Sequence, residues 1–266
     1  MRLIDDFSAF IFDLDGTIYL GDKLIKGASQ VIREIKEQNK PFVFLTNKPL
    51  ASREDYARKL SELGIPASAG NIITSSFVTA RYLKKNSPGA SCYVVGERAL
   101  KEELTRAGLQ VKEQTDSIDY LIASFDRNFH YDKLNDALQI LKKGARFIAT
   151  NPDRTCPVEN GEIPDAAGMI GAIEGVTGKK VEKILGKPSR EIVETALKQM
   201  GSPDPQKSLM IGDRLETDII MGKENNLQTA LVLSGVTDRK ALHNSEIKPD
   251  FVLEIILGLI DSVYVV

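Results

Sequence analysis

Short, nearly continuous apolar runs alternate with amphipathic segments along almost the whole chain. Residues 7–12 read as a buried strand. Ala28, Val31, Ile32 and Ile35 then follow the i, i+3, i+4, i+7 spacing of one helix face. Residues 42–45 repeat the strand pattern. A helix starting near Ser52 places Tyr56, Leu60 and Leu63 on one face before Gly64 stops it. Further strands are expected at 92–95, 120–123 and 146–149, with helices at 97–107 and 131–142 between them. After Lys187 come a helix ending near Gly201, a strand at 209–211, a helix at 218–225 and a strand at 230–233. Apolar strands alternating with helices predict an α/β fold, with a parallel sheet covered on both faces.

Ligand sites in such sheets lie beyond the C-terminal ends of the strands. Three sets of polar residues occupy those ends: Asp13 after 7–12, Thr46 and Asn47 after 42–45, and Asp213 after 209–211. The first set continues as Asp13-Leu14-Asp15-Gly16-Thr17. A bare D-x-D is common in solvated loops, but here an apolar strand precedes it and Gly-Thr follows. Two carboxylates so close need an external cation, and hard oxygen ligands suit Mg²⁺. Gly16 lets the backbone approach a bound anion. Taken singly, other candidates have ordinary readings: Thr46 ends a strand, Asn47 opens a turn before Pro49, and Lys187 is a solvated lysine. Asp218 equally complements a helix dipole from the first turn, and Glu216 competes with it for an outer metal position. His130 and His243 stand outside every motif and read as surface residues.

Composition narrows the partners. Apolar residues make up 42% and charged residues 27%, as in ordinary globular proteins, and a net charge of -2 offers no basic field for nucleic acid or anionic membrane. Cys92 and Cys156 lack ligand spacing and read as reduced thiols. Arg2, Asp5 and Asp6 flank too short an apolar stretch for a signal peptide. The greasy run 253–266 is interrupted by Glu254 and Asp261 and is too short to span a bilayer. A cytoplasmic location is the expectation.

Four segments carry a resemblance. FDLDGT (residues 12–17), LTNKP (45–49), GKPS (186–189) and GDRLETD (212–218) are similar, in this order, to the four motifs of the haloacid dehalogenase superfamily. GARFIATNPD (144–153) resembles its NagD-like branch, which carries a type IIA cap. The resemblance covers nearly the whole chain. It implies a doubly wound, Rossmann-like parallel sheet core formed by residues 1–77 and 184–266, with an inserted α/β cap domain at 78–183. The segment between the second and third motifs is indeed far longer than one crossover needs.

By the same resemblance, Asp13 is the nucleophile that forms an aspartyl-phosphate and Asp15 the general acid and base. Thr46, Asn47 and Lys187 bind phosphate. Asp13, Asp15, Asp213 and Asp218 surround Mg²⁺, Asp218 through an outer sphere. The second aspartate fits phosphoryl transfer rather than dehalogenation. Lys48 departs from the small polar residue often found after Thr-Asn, and solvent is its expected direction. In the cap, the loop with Asn151, Asp153 and Arg154 faces substrate or is a turn set by Asn-Pro. The lysine and the cation answer a physical problem: like unit charges 4 Å apart repel by about 4 kcal/mol at an effective dielectric of 20. The expected activity is hydrolysis of a small phosphorylated metabolite, such as a sugar phosphate, nucleoside monophosphate or pyridoxal phosphate. Transfer of the phosphoryl group to another acceptor, or non-catalytic binding of a phosphometabolite, are the alternatives. Cap-mediated dimers occur among relatives, so the resemblance leaves monomer and homodimer both open.

Overall fold

Two parallel sheets organise the chain in the computed structural model, which describes residues 2–158 and 161–261. The chain divides into two compact units: Met1–Thr46, Arg53–Ile73 and Ile192–Val266 form the first, and Asn47–Ser52 with Thr74–Glu191 form the second.

The first unit is built on a six-stranded sheet. Its order is Phe251–Leu253, Gln228–Val232, Ser208–Gly212, Ala9–Asp13, Phe42–Thr46, Ile72–Thr74. Ala9–Asp13 pairs in parallel with Ser208–Gly212 on one side and Phe42–Thr46 on the other. The chain therefore winds outward in one direction from Ala9–Asp13 and later returns to its opposite side. Such a reversal opens a crevice at the strand ends. All residues of these three strands are buried, the result of near-continuous apolar sequence. Phe10 and Phe12 stack with ring centroids 6.1 Å apart, and Phe12 meets Phe44 at 5.9 Å. Each such buried side chain contributes about 1.5–3 kcal/mol over its exposed state. The Ala28–Glu37 helix buries Ala28, Val31, Ile32 and Ile35, the four residues its spacing singled out.

The second unit has its own five-stranded parallel sheet, ordered Lys183–Ile184, Arg146–Ala149, Tyr120–Ala123, Ser91–Val95, Gln110–Val111. Leu121, Phe147, Ile140, Leu141 and Ile173 pack in one buried cluster beside this sheet. The chain is thus the α/β arrangement expected, with parallel sheets and a second α/β unit.

Several elements differ from the sequence reading. The segment before Ala9 is a short helix, Leu3–Asp6, whose Leu3 and Ile4 are buried. The expected helix at 218–225 is present, but it begins earlier and opens with a wide π-type turn, Leu215–Ile219, before the α-helix Ile220–Glu224. Its widening follows from the N–H groups of Asp218 and Ile219 both reaching Arg214 O, at 3.1 and 3.2 Å. The Tyr19–Leu20/Lys23–Leu24 hairpin, the Thr155–Val158/Gly161–Pro164 hairpin and the Ala166–Thr177 helix carry no periodicity that marked them. Of the greasy run at 253–266, Leu253 closes a strand and Ile256–Leu259 forms a 3₁₀ turn, while 262–266 lie outside the described residues. Among the described residues no helix is long and apolar enough to cross a membrane.

Candidate active site

Adjacent strands of the first unit deliver two aspartates. Asp13 is the last residue of Ala9–Asp13, and Asp213 follows Ser208–Gly212 directly. Asp218 joins them from the wide turn. Ligand atoms of the three carboxylates lie within 4.8 Å of one another, and all three side chains are buried. At that separation each pair of full charges repels by about 3.5 kcal/mol at an effective dielectric of 20.

Backbone donors hold the carboxylates in place. Val236 N–H donates to Asp213 Oδ2 at 2.6 Å, and Arg214 N–H donates to Asp218 Oδ2 at 3.1 Å. Glycines press against them. A Cβ on Gly16, whose φ is +83°, would stand 2.5 Å from Asp213 Oδ2, and one on Gly235 would lie 2.5 Å from Asp213 Cγ. A Cβ on Gly212 would collide with Asp218. Ser234 Oγ ties the loop at Gly16 O, at 2.7 Å. The hydroxyls of Thr17 and Thr217, next to this cluster in sequence, are buried without a hydrogen-bond partner among the described residues. An all-oxygen set of three buried carboxylates, two of them held by backbone donors, fits a small hard divalent cation.

The remaining candidates of the first unit are placed as follows. Thr46 ends its strand and is buried. Asp15 is half-buried and stands outside the three-carboxylate cluster. Tyr19 pairs with it through the backbone. Burial, and then the charge of Asp15, push the Tyr19 hydroxyl far above its ordinary range, so it stays protonated. Glu216 is exposed whereas Asp218 is fully buried, which separates the two carboxylates that sequence spacing left open. The Ser234–Gly235–Val236 segment was missed by sequence reasoning. Its position beyond the Gln228–Val232 strand was the available signal.

In the second unit, Asn47 and Lys187 come together, both buried. Lys187 N–H donates to Asn47 Oδ1 at 2.7 Å, while Asn47 Nδ2 donates to Lys187 O at 3.0 Å and to Asp153 Oδ2 at 2.7 Å. Gly186 is squeezed between them: a Cβ there would lie 2.5 Å from both Asn47 Oδ1 and Thr150 O. Asn151 is fully buried, with Nδ2 donating to Asp153 and Asp165. Arg154 is exposed and Lys48 half-buried. His130 and His243 are exposed, as their place outside the motifs suggested.

Known proteins resemble this arrangement. A family model described as haloacid dehalogenase-like hydrolase matches residues 10–110, and a second, described as HAD-hydrolase-like, matches 184–259. The sugar-phosphatase AraL of Bacillus subtilis is 40% identical over 247 residues, covering 93% of this chain and 90% of that protein. The solved structure of NagD from E. coli K-12 superposes with a TM-score of 0.87 at 31% identity, covering 97% of this chain and 99% of its own. A glycerol phosphate phosphatase from Mycobacterium tuberculosis, solved in complex with magnesium, gives a TM-score of 0.89 at 28% identity, covering 98% of this chain and 78% of that one.

Proposed function

The chain belongs to the haloacid dehalogenase-like hydrolases, among the phosphatases of the NagD-like branch, and on that premise we propose that it hydrolyses sugar phosphates through an aspartyl-phosphate on Asp13. The observation that carries the proposal is the convergence of Asp13, Asp213 and Asp218 at neighbouring strand ends. These three carboxylates would hold Mg²⁺. When bound, the ion supplies the positive charge that lets an anionic nucleophile approach an anionic phosphate. A magnesium complex of a structurally similar phosphatase supports that choice of ion.

The Asp13 carboxylate attacks phosphorus, and the bond from phosphorus to the sugar oxygen breaks. Asp15 gives its proton to the departing oxygen, so the sugar leaves as a neutral alcohol. Asp15, now a carboxylate, takes a proton from water. That water attacks phosphorus and breaks its bond to Asp13, releasing inorganic phosphate and restoring both aspartates. Thr46 contributes its hydroxyl to the phosphate. Asn47, whose carboxamide is engaged with Lys187 and Asp153, contributes its backbone N–H. Lys187 is the cation that offsets the phosphate charge. In the cap loop, exposed Arg154 selects among substrates, while Asn151 and Asp153 turn to internal hydrogen bonds. The proposal locates the reaction in the cytoplasm, where Cys92 and Cys156, both buried, remain thiols.

The experiment is phosphate release from a panel of sugar phosphates, with nucleoside monophosphates and pyridoxal phosphate as competitors, in Mg²⁺ and in excess chelator. Mg²⁺-dependent release that favours sugar phosphates is expected. Full turnover after verified metal removal, or preference for another class, contradicts the proposal.

A further inference from the structure

A continuous chain of hydrogen bonds runs through the second unit from Ser124 to Lys187, and its polarity is fixed at every link. Thr150 Oγ1 donates to Asn151 Oδ1 at 2.7 Å, so its proton is used, and Ser124 Oγ must donate to Thr150 Oγ1 at 2.8 Å. Asn151 Nδ2 donates to Asp153 Oδ2 at 2.8 Å and to Asp165 Oδ1 at 3.0 Å. Asp165 also caps the Ala166–Thr177 helix through Ala166 N–H at 2.6 Å, which anchors the network in the fold. Asp153 Oδ2 accepts a second donor, Asn47 Nδ2, at 2.7 Å. The opposite end of that carboxamide accepts Lys187 N–H, and Nδ2 also reaches Lys187 O.

A carboxamide has two orientations related by a half-turn, and its neighbours choose between them. Rotated, Asn47 would set its oxygen against the Asp153 carboxylate and its NH₂ against the Lys187 N–H. Its oxygen would also face Lys187 O, so all three contacts would be repulsive. The Lys187 backbone and the Asp153 carboxylate thus favour the same orientation, and Asp153 clamps from outside the carboxamide that holds the Lys187 N–H and C=O. We infer that Asp153 is a positioning residue for Lys187, acting through the Asn47 carboxamide. The inference rests on the proposed role of Lys187 as the cation that offsets the phosphate charge. Because every substrate carries a phosphate, Asp153 influences all substrates alike, unlike a residue that reads the sugar.

A double-mutant cycle tests this. Asp153→Leu, Lys187→Ala and the double variant are compared with wild type for kcat/KM on two different sugar phosphates and one small aryl phosphate. The same cycle is read on binding of inorganic phosphate by calorimetry, which needs no turnover. Asp153→Leu, which has no acceptor for the Asn47 and Asn151 Nδ2 groups, is expected to lower kcat/KM about tenfold or more, and by the same factor for each substrate. In the Lys187→Ala background the same change has less than about a twofold effect, because its target is gone. Asp153→Glu, which keeps the acceptor, stays within about threefold of wild type. A loss that multiplies undiminished on Lys187→Ala, or that varies with the sugar, overturns the inference. If Asp153→Leu does not fold, Asp153→Ala replaces it. Failure of both to fold assigns Asp153 a purely structural role and also overturns the inference. A wild type inactive on every phosphate ester instead refutes the functional reading itself, and the inference with it.

Discussion

Replacing Gly235 by alanine drives a methyl group into the carboxylate that anchors the cluster. The new Cβ would lie 2.5 Å from Asp213 Cγ and overlap its Oδ2. Non-bonded carbons settle at about 3.5–4 Å, so Asp213 has to move by about 1 Å. The backbone at Gly235 is not left-handed, so alanine meets no conformational penalty and the whole effect is steric. The neighbouring hydrogen bond from Val236 N–H to Asp213 Oδ2, 2.6 Å long, is stretched by the same movement. Overpacking of this kind costs about 1–3 kcal/mol of stability, which a folded chain of ordinary stability survives. Misplacement of a catalytic constellation by about 1 Å costs on the order of 10²-fold in rate. The assay is kcat/KM on a sugar phosphate across a Mg²⁺ titration, with the melting temperature recorded in parallel. A fall of about 10²-fold in kcat/KM, with half-saturation moved to at least about tenfold higher Mg²⁺, is the expected result. Activity within about threefold of wild type at an unchanged Mg²⁺ requirement refutes the assignment of Asp213 to the metal.

Asp13→Asn abolishes turnover, since an amide is no nucleophile toward phosphorus; a folded variant, checked by its melting temperature, that still releases phosphate contradicts the role of Asp13. Asp15→Asn loses less activity on nitrophenyl phosphate than on sugar phosphates, since a weakly basic leaving group needs little protonation, and equal losses on both would remove its acid role. Outside the site, Ser91 N–H and then Ser91 Oγ–H hold the Asp119 carboxyl below its usual range. A carboxyl depressed in the folded state stabilises above its unfolded pKa, about 3.9, and loses that contribution as pH falls through the folded value. Asp119 is exposed, so solvent screens the interaction, and Asp119→Ala costs on the order of 0.5 kcal/mol at pH 7, with a gap to wild type in urea denaturation that narrows below about pH 4; a gap that widens on acidification reverses the sign and refutes it.

Local pattern carried much of this molecule. Asp13, Thr46 and Asp213 could be placed because each ends or follows a strand whose every residue is buried, and such strands read as unbroken apolar runs. The choice between Glu216 and Asp218 was not legible, because it depends on a π-type turn that rotates one carboxylate inward and leaves the other exposed. The Ala166–Thr177 helix was hidden by Gly168, Gly171 and Gly175, which weaken a helical signal without breaking the helix. The network around Lys187 was beyond reach for a different reason. Asn47 meets Asp153 across 106 residues and Lys187 across 140, and no spacing rule reports pairings at that range. Asn47 was legible as a polar residue at a strand end, but the use of its carboxamide to grip a distant backbone was not.

The most direct test of the covalent mechanism is rapid-quench mass spectrometry of the enzyme mixed with a sugar phosphate and Mg²⁺. The account predicts an acid-stable mass increment of one phosphoryl group on the peptide that carries Asp13, formed and lost on the timescale of turnover and absent from Asp13→Asn. Turnover at the full rate with no phosphoryl group on that peptide under any quench time, or a phosphorylated Asp13→Asn variant that still turns over, would contradict it.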